Sequence, residues 1–267
     1  MKSGMVDMES NTTLVQNYPA HEAIPGGDGP FPAVVLAHDR FGLSVFNRGV
    51  ANRLAQAGFY TLTPALYALP ASFAEQAPDW MHSPGQIEFA YSDESAADER
   101  ATTLSDERAM SLLGRAIRYA QSRSAARSGP VGLLGFSMGG RLAFRTACEF
   151  PDDVGACVCF YPEGLLSGSI GPARELPIAR AESLKAPLRI FYGALDQRVG
   201  APERAGLRKV LTALGKDASL EEYRGAGHDF LCSDRDTFHV GASKKAWDAT
   251  LAFFRERIGA GGAAREG

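Results

Sequence analysis

Cysteine is scarce in this chain of 267 residues, which has four: Cys148, Cys157, Cys159 and Cys232. None is spaced as CxxC, so neither a disulfide framework nor a cysteine-rich zinc site has support. Cys157 and Cys159 share one face of an apolar run, and the expectation is buried free thiols in a reducing compartment. Long hydrophobic runs are missing too. No stretch approaches the ~20 apolar residues of a membrane-spanning helix. The opening MKSGMVDMESNTTLV has no apolar segment behind its single lysine to act as a secretion signal. A cytoplasmic location is therefore expected. Charge of one sign is also lacking: 28 Lys and Arg stand against 31 Asp and Glu, a net charge of −3. Neither nucleic acid nor a membrane is expected as a partner, since both call for a basic surface. There is no HExxH, no glycine-rich phosphate loop ending in Lys-Ser/Thr and no Rossmann fingerprint. His38-Asp39 and His228-Asp229 have no third and fourth ligand at metal spacing. No cofactor and no metal are expected.

What is present is an alternation. Apolar runs bounded by Gly, Pro and Asp read as strands: PAVVLAH, FYTLTPALY, VGLLGF, VGACVCFYP, LRIFYG and ASLEEYRG. Between several of them lie segments of helical period. SVFNRGVANRLAQAG carries Phe46, Val50 and Leu54 on one stripe and stops at Gly58. SDERAMSLLGRAIRYAQS repeats Ala109, Leu112, Leu113, Ala116, Ile117 and Ala120. PERAGLRKVLTALGK and ASKKAWDATLAFFRERIG continue the pattern. The alternation predicts an α/β fold with a mostly parallel central sheet, helices on both faces, and functional groups on loops at the carboxyl ends of the strands. The chain reads as one domain over 1–258. Within it, 72–104 is an acidic, partly aromatic excursion or cover, and 259–267 is a disordered tail.

One motif stands at the right place for chemistry. Gly135-Phe136-Ser137-Met138-Gly139 fits G-x-S-x-G between a strand and a helical segment starting near Gly140. A sharp turn there would lift the Ser137 hydroxyl above the sheet and aim a helix N-terminus at the same point. The plainer reading is a serine that caps the helix. A serine nucleophile needs a base, and the base needs an orienting acid. Two histidines follow Ser137. His228, in GAGHDF, lies on a glycine-rich loop after a strand; His239, near the last helix, reads as a solvent-facing residue. For the acid, Asp196 in GALDQ lies just beyond a strong strand. Asp217 starts the next strand on the wrong edge, and Asp229 would have to fold back on its neighbour. Ser137, Asp196 and His228 stand in the chain order of an α/β-hydrolase.

Together AHDRFGL, TPALY, GFSMGG, GALD and GAGHDF resemble the dienelactone hydrolase family of α/β-hydrolases, from about Pro32 to the last helix. The resemblance implies an oxyanion hole made by the backbone N–H groups of Met138 and Arg40. It puts Asp39, as a site-lining residue, where the family has a glutamate. The chain departs from the family in carrying Ser137 for the founding members' cysteine. It also has Leu69 and Cys232 where they have arginines that hold a substrate carboxylate. Losing that clamp removes charge-assisted bonds worth ~1.5–3 kcal/mol each. The implied activity is therefore acyl-enzyme hydrolysis of small neutral carboxylic esters or lactones, with true dienelactone (carboxymethylenebutenolide) hydrolysis as the alternative. Arg40, Arg198 or Arg235 could restore the positive charge, although such isolated loop arginines are more often solvated.

Phe41, Phe136 and Tyr161 are candidates to line an acyl pocket, with core packing as the competing reading. Trp80, Met81, Phe89 and Tyr91 are candidates for a cover. The same triad would serve a C–N or C–C hydrolase, an acyltransferase or a perhydrolase. A non-catalytic small-molecule binder is the rival of another class. The last helix, AWDATLAFF, admits either a monomer or a homodimer.

Overall fold

The computed structural model describes residues 8–16, 18–68, 93–168 and 175–259. Its strands are β1 (Met8–Val15), β2 (Tyr18–Pro25), β3 (Ala33–Ala37), β4 (Tyr60–Pro64), β5 (Val131–Phe136), β6 (Val154–Phe160), β7 (Leu188–Gly193) and β8 (Ala218–Tyr223). They form one sheet in the order β1-β2-β4-β3-β5-β6-β7-β8. The pairings β3 with β4 and β5, β5 with β6, β6 with β7, and β7 with β8 are parallel; β1–β2 and β2–β4 are antiparallel. The six apolar runs of the sequence are β3 to β8. β3 and β5 are buried at every position, as strands covered on both faces must be. β8, the last strand, has one neighbour and stays mostly half-exposed.

The helices are α1 (Val45–Gln56), α2 (Glu94–Thr102), α3 (Asp106–Ser122), α4 (Met138–Glu149), α5 (Ala201–Ala213) and α6 (Val240–Phe254), the last running on through a π-helical turn over Arg255–Gly259. Two glycines of β5 show how the layers stack. A Cβ on Gly132 would strike Phe254 and Ile258 at 2.9 Å, whereas one on Gly135 would meet the Gly139 carbonyl at 2.1 Å. Residues 132 and 135 point to opposite faces, so α6 and α4 cover opposite sides of the sheet. The Arg53 guanidinium lies 4.1 Å from the Trp247 ring and joins α1 to α6 on one face, while α3 packs with α4 on the other. The stripes expected on α1 and α3 are buried, and α1 is followed by Gly58 at φ +95°.

Two expectations change, while α2 lies within the segment expected to form an excursion or cover. The hairpin β1–β2 adds two strands that the apolar runs do not announce. α4 begins at Met138 and not near Gly140, because Ser137 alone makes the turn. Residues 69–92, with Leu69, Trp80, Met81, Phe89 and Tyr91, and the tail beyond Gly259 lie outside the described residues. All four cysteines are free and buried. Among the described residues, no helix is long and apolar enough to cross a membrane.

Candidate active site

The serine is held in an unusual backbone. Ser137 has φ 51° and ψ −117°, a conformation that costs ~1–3 kcal/mol in an L-residue and persists only where its surroundings enforce it. Glycine is required on either side: a Cβ at Gly139 would lie 2.1 Å from the Ala37 carbonyl oxygen, as close as the Gly135 clash across the same turn. The Ser137 N–H donates to the Phe160 carbonyl at 2.9 Å. Its side chain makes no capping bond to α4. Instead the Oγ lies 3.0 Å from His228 Nε2, and His228 Nδ1 lies 2.8 Å from Asp196 Oδ2.

A carboxylate can only accept, so in the neutral ring Nδ1 carries the proton and Nε2 turns its lone pair toward Ser137. The second carboxylate oxygen, Oδ1 of Asp196, accepts from the N–H groups of Arg198 at 2.9 Å and Val199 at 3.0 Å. Both oxygens are thus fixed before any ligand arrives. Burial pushes the His228 pKa down, but the bond to Asp196 and the charges of Asp229, Asp196 and Glu163 outweigh it and raise the pKa. Tyr161, at φ 38°, sets its ring 4.9 Å from the imidazole.

The acid and histidine loops form a tight seam. A Cβ on Gly193 would meet the carbonyl oxygens of Ala226 and Gly227 at 2.3 Å. Ala194 N–H donates to Tyr223 O at 2.9 Å and Leu195 N–H to Ala226 O at 2.8 Å. A cavity of about 490 Å³ opens beside His228, with Arg198 and Phe238 in its wall. A larger groove of about 590 Å³ between α1 and α6 touches none of Ser137, Asp196 and His228.

On the other side of Ser137 the loop after β3 is fixed by its own side chains. His38 Nε2 accepts the Leu66 N–H at 3.0 Å, so its protonated Nδ1 donates to the Asp39 carbonyl at 2.7 Å. Complete burial lowers its pKa to about 4 and keeps it neutral. Asp39 Oδ1 accepts from the Phe41 N–H at 2.9 Å and from Asn47 Nδ2 at 3.2 Å. Burial, then the nearby Asp229 charge, push the Asp39 pKa up to about 7. The Tyr67 hydroxyl donates to the Arg40 carbonyl at 3.0 Å and sits 3.8 Å from Met138 Sδ, joining the two residues named for the oxyanion hole. Met138 is the first residue of α4, where a helix leaves N–H groups without intrahelical acceptors.

Several expectations are corrected here. Phe136 packs on Phe46 and Phe160, with ring centroids 5.1 and 5.2 Å away, and is wholly buried. It belongs to the core and not to an acyl pocket, because its side chain points to the α1 face. His239 is not a solvent-facing bystander: it is the N-cap of α6, its Nδ1 accepting from the Ala242 N–H at 3.1 Å. Asp217 pairs with Arg257 at 3.3 Å, away from the imidazole. Asp229 Oδ1 lies 3.7 Å from His228 Nε2, on the serine side and not on the Nδ1 side. Cys232 is buried.

Of the arginines, Arg40 and Arg235 are largely withdrawn from solvent, whereas Arg198 stays exposed as expected of a loop arginine. Arg40, 2 % exposed, bonds Asp98 at 2.8 Å and Glu94 at 3.0 Å. Arg235 bonds the other oxygen of Glu94 at 2.5 Å, and Arg198 lies 3.7 Å from Glu94 and 3.5 Å from Glu163. The Phe41 ring lies under the guanidinium groups of Arg40 at 4.9 Å and Arg235 at 5.5 Å. Sequence reasoning missed Tyr67, Asn47 and Glu94. The only signal for Glu94 was its position behind Asp93 in SDES, which reads as a helix start and says nothing of its partners.

The model of the family described as the dienelactone hydrolase family matches residues 19–258. The chain belongs to the dienelactone hydrolase family. It is a hydrolase, and it has the α/β-hydrolase fold of that family. A relative from Methylorubrum extorquens named "putative carboxymethylenebutenolidase" is 27% identical over 89% of this chain and 76% of its own length. One of the same name from Synechocystis is 26% identical over 97% and 98%. A crystal structure from Klebsiella pneumoniae, titled "putative dienelactone hydrolase", superposes with a TM-score of 0.80 at 24% identity, covering 94% of this chain and 99% of the other. That dienelactone hydrolase likeness speaks for the fold alone.

Proposed function

We propose that this member of the dienelactone hydrolase family cleaves small carboxylic esters or lactones through an acyl-enzyme on Ser137. The observation that carries the reading is the continuous line from Ser137 Oγ to His228 Nε2 at 3.0 Å and from Nδ1 to Asp196 Oδ2 at 2.8 Å. In the first half-reaction Oγ attacks the carbonyl carbon while Nε2 takes its proton. Asp196 holds the ring and stabilises the imidazolium. The tetrahedral intermediate then collapses and Nε2 returns the proton to the departing alcohol oxygen. Water, activated by the same nitrogen, releases the acid. The N–H groups of Met138 and Arg40 serve the oxyanion, where one such donor is worth ~3 kcal/mol.

The relatives named carboxymethylenebutenolidase support a lactone as one substrate form. The ion pairs of Arg40 and Arg235 with acidic side chains, and the looser approach of the exposed Arg198 to Glu94 and Glu163, favour a neutral one. The test is turnover of short p-nitrophenyl esters. Ser137→Ala should lose at least ~10⁴-fold in kcat, and a phosphonate fluoride should label wild type stoichiometrically but not His228→Ala. Retention of turnover in Ser137→Ala, or tight ester binding without labelling, would remove the acyl-enzyme.

A further inference from the structure

Three guanidinium groups converge on one carboxylate beside the proposed nucleophile. Arg40 comes from the loop after β3, Arg198 follows Asp196 by two residues, and Arg235 follows His228 by seven. Glu94, in the first turn of α2, gives Oε1 to Arg235 at 2.5 Å and Oε2 to Arg40 at 3.0 Å, with Arg198 3.7 Å away. The cluster touches the reaction centre through Asp229, whose oxygens lie 3.6 Å from Arg235 Nε and 3.7 Å from His228 Nε2. A carboxylate ringed by three arginines is the arrangement with which proteins bind an anionic ligand. Here a residue of the chain itself fills that place. The Glu94 side chain is 46% exposed, while Arg40 is buried almost completely, so the anchoring cation is built in and its partner faces water.

Resting on the hydrolase reading above, we propose that Glu94 is a specificity-determining residue: an internal carboxylate that occupies the arginine cluster and turns away substrates bearing a carboxylate of their own. A second carboxylate brought to the cluster would either displace Glu94 from Arg235 and Arg40 or stand beside it as a like charge. A neutral ester meets neither obstacle. Asp98, Glu163 and Asp229 share the three arginines, so among the described residues the cluster carries one negative charge in excess while Glu94 is in place and is neutral once that carboxylate is removed.

The experiment compares p-nitrophenyl acetate with mono-p-nitrophenyl glutarate in wild type, Glu94→Gln and Glu94→Ala. The quantity read is the ratio of kcat/KM for the anionic ester over that for the neutral one. It should rise at least ~10-fold in both variants, mainly through KM for the glutarate ester, and the rise should shrink as salt is added. In parallel, calorimetry with glutarate should show binding to the two variants and none to wild type. A ratio unchanged in both folded variants, or a fall of both esters together without glutarate binding, would reduce Glu94 to a structural tie between loops and overturn the proposal. If no ester is turned over by a Ser137-dependent route, the hydrolytic reading fails. The calorimetry then still decides whether Glu94 guards an anion site.

Discussion

His228 is pulled two ways, and the net direction sets a measurable limit. Its pKa is raised, so the neutral imidazole that the proposed mechanism uses as its base is lost as pH falls through a value above the ordinary 6.5. The acid limb of kcat/KM should lie above that value. Asp196→Asn should cut kcat by about 10³–10⁴-fold, because an amide can donate to Nδ1 and stabilise the wrong tautomer, and it should move the limb down. A pH-rate profile of both proteins reads the two effects. The meeting of Ser137, Asp196 and His228 was legible in the sequence because each lies at or on the loop just beyond the end of a recognisable strand, so local pattern carries it to the carboxyl edge of the sheet. Glu94, Tyr67 and Asn47 were not. Their roles depend on where α2, the turn after β4 and α1 dock against the loop after β3, and no local pattern encodes such contacts. Phe136 illustrates the converse error, since adjacency to Ser137 in the chain puts it on the opposite face of the strand.

Among the elements, the seam between β7 and the histidine loop is the most sensitive joint. Gly193→Ala would force a methyl group against two backbone oxygens at 2.3 Å, where only a shift of the loops can make room. The expected cost is at least ~1–3 kcal/mol of stability. The loss of ester turnover should be larger than that of a comparably destabilised core variant, because the shift parts Asp196 from His228; thermal melts read beside kcat check this. The strands β3 to β7 were legible as largely apolar runs, and β8 as a shorter mixed one bounded by turn residues. The hairpin was not, because MESNTTLV and YPAHEAIP interleave polar residues with short apolar ones and offer no continuous apolar run. Their pairing with each other and of β2 with β4 reveals them as strand. Tyr60 and Arg123 both donate to the buried Glu22 of β2, a long-range polar tie that hydrophobic patterning cannot anticipate.

For the whole molecule, the buried Asp39 makes stability depend on pH. Its pKa rises from 3.8 to about 7 on folding, so the folded state holds the proton more tightly than the unfolded chain. Stability therefore falls as pH climbs from about 4 to 7 and levels off above. Asp39→Asn keeps an oxygen for the Phe41 N–H and removes the titration. Its melting temperature should exceed that of wild type at pH 8, with the gap closing toward pH 4. A gap of the same size at both ends would assign the effect to packing. The sheet also ends in a way that bears on how the protein fails. β8 has a partner on one side only, is half-exposed, and carries His228 on the loop just beyond it. Edge strands open at lower free energy than the centre of a sheet. Ser137 follows the central strand β5, whereas His228 hangs from the margin. On the proposed mechanism, warming should therefore disarm the molecule before it melts it: ester turnover should fall, and return on cooling, at temperatures where far-UV circular dichroism still reports an intact sheet.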